Sequence, residues 1–303
     1  MTIPARKAFT ETLLDMARTD ATIFALATDS RGSVTLGDFA TELPNQFVEC
    51  GIAEQDAVGI AAGLANAGLK PFMCSPACFI AARAAEQVKV DVGYSHTNVK
   101  LIGVSGGISY GALGTTHHST QDVALMRAIP GMQVILPADA RQAAACTRAL
   151  VESAEPAYMR VGRGACPDVY AEGNVPFRIG KANCLCKGTG LAIIACGEMV
   201  APALEAGRQL GASVYDMHTI SPLDREAVLE AAETGRVLTV EEHCVCGGLG
   251  GAVAELLCQE HPVKMRILGL PNTALYAGTS EEVKAYYGLD AAGILRAGQE
   301  LMA

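Results

Sequence analysis

Apolar residues along this chain follow two alternating patterns: short continuous runs, and longer stretches in which they recur every three or four positions. In the first half, the short runs predict strands over residues 22–29, 71–75, 99–105, 132–138 and 157–161. The stretches between them predict helices over residues 54–66, 79–92, 121–129 and 139–153. Strands that alternate with helices are typical of βαβ units, so we expect a mostly parallel sheet with helices on both faces.

The alternation lapses at residues 162–188, which are rich in Gly, Pro and Cys and are typical of a linker. It resumes with predicted strands at 191–197, 213–218, 237–243 and 264–270, predicted helices at 199–210, 224–234 and 249–260, and two C-terminal helices. A chain of 303 residues also suits about two domains. We therefore predict an α/β domain over residues 1–165, a linker over 166–188 and a second α/β domain over 189–303.

The composition argues against several classes of partner. A net charge of −9 leaves no basic face for nucleic acid or for an anionic membrane. No apolar run approaches the roughly 18 residues that a membrane span requires. The first 20 residues have the pattern of an amphipathic helix rather than the apolar core of a signal peptide. We expect a cytoplasmic protein that binds neither nucleic acid nor membrane.

Two short motifs invite a metal or cofactor interpretation. The pairs Cys184/Cys186 and Cys244/Cys246 lack the C-x₂₋₄-C spacing of common zinc sites, so we interpret the cysteines as free thiols, most of them buried. The segment CGGLGGAVAE (246–255) follows a predicted strand and opens a helix, as a dinucleotide-binding loop does. Because it lacks the G-x-G-x-x-G spacing, tight packing of a helix on a strand is the better interpretation.

Ligands of parallel α/β sheets bind beyond the carboxyl ends of the strands. Three loops in such places carry candidate chemistry, at residues 29–38, 49–56 and 103–122. The second places Glu54 and Asp56 at the start of an otherwise apolar helix. The third is rich in glycine and contains adjacent His117 and His118, which indicates close approach of the backbone to a ligand. A flexible loop with a solvated histidine pair is the alternative for the third loop.

Five segments of the chain resemble consecutive motifs of the transketolase family, in its C-terminal half. They are FVECGIAEQDAVGIAAGLANAGLKPF, CFIAARAAEQVKV, GGISYGALGTTHHSTQDVALMRAIPGMQVILPAD, AYMRVGRG and EEHCVCGGLGGAVAELL. The segments occur in the order of the family, and the resemblance covers essentially the whole chain. It implies a pyrimidine-binding domain for thiamine diphosphate, followed by the transketolase C-terminal domain.

The resemblance implies that Glu54 binds the cofactor and also takes part in catalysis. Thiamine diphosphate forms a carbanion with its own aminopyrimidine as the base, and a carboxylic acid shares a proton with the far nitrogen of that ring. A carboxyl at the start of a helix in an apolar pocket suits this task, because loss of hydration favours the uncharged form. Taken alone, Glu54 is better explained as a carboxylate that the helix dipole favours, and it is the context of the five motifs that favours catalysis.

Three further residues match the family's cofactor-binding positions. Phe79 matches the aromatic residue that stacks on the pyrimidine ring, although an ordinary core phenylalanine is the alternative. Arg83 lies in the stretch that matches the family's GRAxEQ motif, and Asp29 lies in a loop that reaches toward the cofactor.

Three residues match positions in the family's substrate channel. Ser33 belongs to the same loop as Asp29, and His117 matches a catalytic histidine that hydrogen-bonds a substrate oxygen and can transfer protons. Arg160, in YMRVGRG, matches an arginine that holds a sugar phosphate, a task that suits a planar bidentate donor. A surface arginine after an edge strand is the alternative for Arg160.

Some positions depart from the family pattern. Ser105 and Leu113 stand where typical members have a histidine and an aspartate that contact phosphate and a substrate hydroxyl. Pro76 and Ala77 replace a Thr-Phe pair that precedes the stacking phenylalanine. We therefore expect a smaller, less phosphorylated or modified ketose rather than the usual pentose and heptulose phosphates.

The sequence lacks the metal-binding motif of thiamine enzymes, GDG followed at a distance by Asn. The segment LGDFATELPNQF (36–47) lacks the second glycine and places its Asn too early. The resemblance therefore implies one subunit of a split transketolase, with no metal ligand on this chain. An N-terminal subunit would hold Mg²⁺ and the diphosphate in an α2β2 assembly, in which this chain also associates with itself.

Two alternatives to ketol transfer stay open at this point. A β-type subunit of a 2-oxoacid dehydrogenase shares the domain order and the glutamate, although the GTTHHSTQDVALMRAIPGMQV motif disfavours it. A non-catalytic, scaffold-like homologue fits Ser105 and Leu113, although the retained Glu54 and His117 argue against it. We predict a transketolase that transfers a two-carbon ketol unit from a ketose to an aldose.

Overall fold

The computed structural model of the protein describes residues 3–173 and 175–303, which form two sheets flanked by helices. The first sheet contains seven strands, in the spatial order β10-β5-β6-β4-β3-β1-β2. They are β1 (Ile23–Ala27), β2 (Phe47–Glu49), β3 (Lys70–Pro76), β4 (Lys100–Val104), β5 (Gln133–Ile135), β6 (Ala157–Val161) and β10 (Thr219–Ser221). All pairs are parallel except β10 with β5. The edge strand β10 comes from the second half of the chain.

Helices cover both faces of the first sheet. They are α1 (Ala5–Ala17), α2 (Gly37–Glu42), α3 (Glu54–Asn66), α4 (Ala77–Arg83), α5 (Ala85–Gln87), α6 (Asp122–Arg127) and α7 (Ala140–Glu152), with a π-helical stretch over Val88–Tyr94. Alternate side chains of β1 point to opposite faces. Leu26 therefore packs with Ala57 and Val58 of α3, whereas Ala25 packs with Phe9 of α1.

The second sheet has five strands in the order β12-β11-β8-β9-β7. They are β7 (Asn183–Cys186), β8 (Ala192–Ala195), β9 (Ser213–Asp216), β11 (Arg236–Cys244) and β12 (Lys264–Leu270), and only β7 is antiparallel to its neighbour. The helices of this part are α8 (Val200–Leu210), α9 (Arg225–Ala232), α10 (Leu249–Glu260), α11 (Ser280–Tyr286) and α12 (Ala291–Met302). Short 3₁₀ turns occur at Pro44–Gln46, Gly111–Leu113 and Gly197–Met199.

The predicted α/β class with two sheets is confirmed, and helices α3 and α10 have the predicted bounds of 54–66 and 249–260. Several details differ from the sequence interpretation, and the short strands β2 and β10 were not predicted. The helix predicted over 79–92 is broken into α4, α5 and the π-helical stretch, and residues 183–186, within the predicted linker, form an edge strand. The domain boundaries at 165 and 188 stay a prediction. No helix within residues 3–173 and 175–303 has the length and apolar character needed to cross a membrane.

Candidate active site

Glu54 is the first residue of α3 and is almost completely buried, with 2% of its surface exposed. Asp56, in the same first turn, is exposed to solvent. The carboxylate of Glu54 accepts a hydrogen bond at 2.6 Å from Nη1 of Arg83, whose side chain is 45% exposed. The protein therefore places a buried acid at the carboxyl edge of the first sheet, in contact with a partly exposed cation that a ligand could displace.

Phe79 and His117 lie beside this ion pair. The guanidinium carbon of Arg83 lies 4.8 Å from the centroid of the Phe79 ring. The Phe79 and His117 rings are 5.5 Å apart and meet edge to face at 69°. Glu54, Arg83, Phe79 and His117, which the sequence predicted separately, therefore form one continuous cluster.

The cluster extends through residues that the sequence analysis did not single out. Tyr110 packs edge to face against His117, with ring centroids 5.4 Å apart. The guanidinium carbon of Arg163 lies 4.8 Å from the Tyr110 centroid. We call the whole set the active-site row: Glu54, Arg83, Phe79, His117, Tyr110 and Arg163.

Asp29 and Ser33 make contacts outside the row. Asp29 is exposed, has a left-handed φ of 54°, and its backbone N–H donates to Glu49 at 2.7 Å. The carbonyl of Ser33 accepts a hydrogen bond from Arg6 of α1 at 2.6 Å. These contacts fix the backbone of the loop after β1, while the predicted cofactor and substrate roles of the two side chains stay predictions.

Arg160 is enclosed within the protein, with 7% of its surface exposed. Its Nη1 lies 3.3 Å from a carboxylate oxygen of Asp122, and its Nη2 donates to the backbone carbonyl of Glu242 at 2.7 Å. Burial alone disfavours the charged guanidinium, but Asp122 and Glu242 raise the pKa of Arg160 above its ordinary value. A substrate phosphate at Arg160 would have to displace Asp122, so the phosphate-holding role stays a prediction that these contacts disfavour.

Arg163, three residues later, is better placed to receive an anion. It lines a cleft of about 890 Å³ together with Arg6, Ser109 and Lys284, and four carboxylates line the same cleft: Glu198, Glu205, Glu281 and Asp290. Buried N–H groups of both Arg163 and Arg6 have no hydrogen-bond partner. Burial and the nearby Arg163 lower the pKa of Arg6 from its ordinary value, as expected when two cations face one another. An anion between the two cations would relieve this repulsion.

The positions that depart from the family pattern have distinct environments. Ser105 is fully buried, has a left-handed φ of 59°, and its hydroxyl has no hydrogen-bond partner. Leu113 is 55% exposed in the 3₁₀ turn next to the row. Pro76 ends β3 and Ala77 begins α4. Neither Ser105 nor Leu113 offers an accessible polar group at the site.

The row suits the pyrimidine half of thiamine diphosphate, because it combines a buried carboxyl with an adjacent half-buried aromatic ring. No group of three His, Cys, Asp or Glu side chains that could hold a metal ion occurs within the described ranges 3–173 and 175–303. The eleven cysteines are free thiols in the structure, but the expectation that most are buried is wrong, because only four are: Cys74, Cys146, Cys196 and Cys244.

The glycine-rich start of α10 is a packing feature. Glu241 accepts hydrogen bonds from the N–H groups of Leu249 and Gly250 at 2.7 and 2.8 Å, so a carboxylate of the protein fills the end of the helix. A Cβ atom on Gly250 would lie 2.4 Å from Ile267 on β12. The dinucleotide-binding alternative is therefore excluded by a filled helix terminus and by a tight contact between helix and sheet.

Comparison with known proteins gives matches over both halves of the chain. Residues 1–168 match the family model of the transketolase pyrimidine binding domain, and residues 180–294 match that of the transketolase C-terminal domain. One of the subunits of the apulose-4-phosphate transketolase from Phocaeicola vulgatus is 56% identical, over 99% of this chain and 98% of the relative. A 6-deoxy-6-sulfo-D-fructose transketolase subunit of Clostridium sp. is 38% identical, over 98% and 94%.

Solved structures give a corresponding result. A split gene transketolase, described as an inactive beta4 tetramer, superposes with a TM-score of 0.91 at 37% identity, over 99% of this chain and 98% of that chain. A transketolase mutant from Pichia stipitis superposes with a TM-score of 0.82 at 18% identity, over 99% of this chain and 46% of that chain. The second match concerns the fold alone.

Proposed function

Because the chain belongs to the transketolase family, as a subunit of the split type, we propose that it transfers two-carbon ketol units together with a partner chain. The observation that carries this proposal is the active-site row. It joins a buried carboxyl, Glu54, to an aromatic ring, Phe79, and to a histidine, His117, at the edge of the sheet where ligands of α/β proteins bind.

The residues of the row have different tasks in this proposal. When bound, thiamine diphosphate supplies the carbanion that accepts and releases the two-carbon unit. Glu54 would share a proton with the pyrimidine ring, and Phe79 would stack on that ring. Arg83, which contacts the Glu54 carboxylate at 2.6 Å, would have to leave it for the ring to bind there. His117, in contact with Phe79, donates protons to a substrate oxygen and accepts protons from it. Proton transfer of this kind accelerates a reaction by about 10²–10⁴-fold.

For the substrate, we propose a modified ketose phosphate of the kind that the P. vulgatus relative is named for, apulose 4-phosphate. Arg163 and Arg6 would hold the phosphate, because they are neighbouring cations that line the same cleft. The buried Ser105 and the apolar Leu113 supply no charged contact to a longer sugar. Each missing charged hydrogen bond costs roughly 1.5–3 kcal/mol, so kcat/KM for xylulose 5-phosphate should be lower by about one to four powers of ten.

The partner in this proposal carries the diphosphate-binding domain and the ligands of Mg²⁺. An α2β2 assembly follows if two copies of this chain also contact one another, and the beta4 description of a similar structure supports self-association. A cytoplasmic location stays a prediction.

The test is an assay of the reconstituted two-chain enzyme with Glu54→Gln. Glutamine fills the same volume but cannot hold an acid proton, so turnover should fall by at least ~10²-fold with unchanged thermal unfolding. Asp56→Asn, in the same helical turn but exposed, is the matched control and should retain activity. Apulose 4-phosphate, sulfo and deoxy ketoses, xylulose 5-phosphate and pyruvate are compared as donors. Near wild-type turnover in Glu54→Gln, or decarboxylation of pyruvate as the efficient reaction, would overturn the proposal.

A further inference from the structure

We propose that Glu242, on β11 of the second sheet, is a positioning residue that anchors the loop carrying His117. The second half of the chain would then help to build the active site rather than only accompany it. We call residues 105–119 the histidine loop. The inference rests on the proposed function for the role of His117, while the anchoring itself can be tested without any activity.

The contact between Glu242 and the histidine loop is direct. The Glu242 side chain accepts a hydrogen bond at 2.7 Å from the backbone N–H of Ile108, which is 134 residues away in the chain. The backbone carbonyl of Glu242 accepts a second hydrogen bond at 2.7 Å, from Arg160. Glu242 is buried, so both bonds are shielded from competing water.

The side chain of Ile108 strengthens this anchor. It is fully buried and belongs to a hydrophobic cluster that is otherwise built mainly from the second sheet and its helices, including Leu191, Ile193 and Val283. One residue of the loop is therefore held by the second half of the chain through its backbone and through its side chain.

The conformation of the loop leaves little room for another arrangement. Gly107 has a φ of 60°, and a Cβ atom there would lie 2.4 Å from Arg160 and 2.5 Å from Glu242. Gly107 also exchanges two backbone hydrogen bonds with Ser119, of 2.9 and 2.7 Å, which close the loop around His117. Midway along the loop, a Cβ atom on Gly111 would lie 2.4 Å from the carbonyl of Gly278. The second half of the chain thus contacts the loop at its base and at its middle.

Lys284 of α11 maintains the charge balance of the anchor. Its amino group lies 3.2 Å from Glu242 and 2.9 Å from Glu198. Burial alone lowers the pKa of Lys284, but Glu242 and Glu198 raise it above its ordinary value, which keeps the amino group charged. Lys284 and Arg160 are the cations that compensate the buried Glu242 carboxylate, and the loss of a cation beside a buried charge is strongly unfavourable.

The consequence for the site follows from the position of His117 between the two ends of the loop. Phe79 and Tyr110 fix its ring from two sides, but Tyr110 itself belongs to the loop. Releasing Ile108 would therefore shift His117 and Tyr110 together. A displacement of ~1 Å at a catalytic group can cost ~10²-fold in rate.

Hydrogen exchange on the purified full chain tests the anchor. Glu242→Ala and Lys284→Met should accelerate amide exchange at least ~10-fold across residues 106–119 and leave β3 and β4 unchanged. The control is the exposed pair Lys187 and Glu230, which are 2.9 Å apart on the same half of the chain. Lys187→Met and Glu230→Ala should change neither region. Unaltered exchange of the loop in Glu242→Ala, or equal effects of the control variants, would refute the anchor.

A double-mutant cycle in the reconstituted enzyme tests the link to His117. Glu242→Ala should lower kcat by about 10–100-fold in the wild-type background but less than about 3-fold in a His117→Ala background. Glu242→Gln, which keeps an acceptor for the Ile108 N–H, should restore most of the rate and serves if the alanine variant fails to fold. Equal losses in both backgrounds would show that Glu242 does not act through His117. Absence of ketol transfer in the wild type would instead contradict the proposed function, while the exchange result would still decide the anchor.

Discussion

Arg160 and Arg163 show how the place of a residue relative to a strand decides what its side chain can do. Arg160 lies inside β6, and its guanidinium contacts the Asp122 carboxylate and the backbone carbonyl of Glu242. Arg163 lies two residues beyond the end of β6, where the chain leaves the sheet, and it faces the cleft. The sequence motif YMRVGRG contains both arginines, and the rule that ligands bind beyond strand ends would have favoured the second.

Substitution of the two arginines should have opposite effects. Arg163→Met should raise KM for a phosphorylated ketose by about 10–100-fold without changing thermal unfolding, because a charged hydrogen bond is worth roughly 1.5–3 kcal/mol. Arg160→Met should lower the free energy of unfolding by about 3–5 kcal/mol, because it leaves the buried Asp122 carboxylate without its cationic partner. Steady-state kinetics and urea unfolding measure the two quantities. If Arg160→Met folds normally and loses only phosphate affinity, the phosphate-holding role that the family resemblance implies for Arg160 is correct.

Some residues of the active-site row could be predicted from the sequence for a specific reason. Glu54 is a carboxyl at the start of an apolar helix, and His117 lies in a glycine-rich loop, so both are unusual against their surroundings. Tyr110 and Glu242 carry no such signal. Their importance comes from contacts with residues distant in the chain, Tyr110 with Arg163 and Glu242 with Ile108, which periodicity does not encode.

At the scale of elements, the sequence predicted long helices and central strands better than breaks and edges. The helix predicted over 79–92 is interrupted, and its π-helical end brings Gly93 so close to Ile129 that a Cβ atom would lie 2.4 Å away. The spacing of apolar residues does not show where an α-helix changes to a π-helix. Strands β7 and β10 are short edge strands defined by their partners, and their own residues give little indication of them.

Two adjacent glycines of α10 test the packing interpretation of the CGGLGGAVAE segment. Gly250→Ala should destabilise the chain by about 1–3 kcal/mol, because its Cβ would collide with Ile267. Gly251→Ala meets only ordinary contacts at 3.6 Å or more, and should be stabilising by up to about 1 kcal/mol through helix propensity. Urea unfolding of both variants is the measurement. Equal stabilities would contradict tight packing at Gly250.

The junction between β9 and α7 should respond to pH. Asp216 of β9 accepts hydrogen bonds from Gln142, at 2.6 Å, and from the Tyr170 hydroxyl, and burial raises its pKa to about 7. Since an unfolded aspartate titrates near ~4, the folded state retains a proton that the unfolded state has lost between these values. The stability that this proton contributes is present below pH ~4 and is lost as the pH rises through ~7.

Asp216→Asn removes that titration and therefore tests the assignment. The free energy of unfolding of the wild type, minus that of the variant, should fall by about 2–3 kcal/mol between pH 5 and pH 8. Urea unfolding at the two values provides the difference. Parallel pH dependence of the two proteins would show that Asp216 does not titrate in this range.

At the scale of the whole molecule, the active-site row is one wall of a site rather than an enclosed pocket. Ile52, two residues before Glu54, is 76% exposed, and the glycines Gly59 and Gly63 of α3 have no neighbouring atom within 4 Å of a Cβ position. The two-domain α/β organisation followed from the alternating pattern. The joining of the halves through β10 did not, because it depends on pairing between segments far apart in the chain.

Titration calorimetry of thiamine diphosphate with Mg²⁺ tests most directly the claim that this chain provides half of a shared site. The chain is measured alone, the partner subunit alone, and the two together, with Glu54→Gln as a variant in the mixture. We expect tight binding only in the mixture, because the described residues contain no metal-binding cluster, and weaker binding with Glu54→Gln. Micromolar binding of the cofactor and Mg²⁺ to the isolated chain would contradict the account.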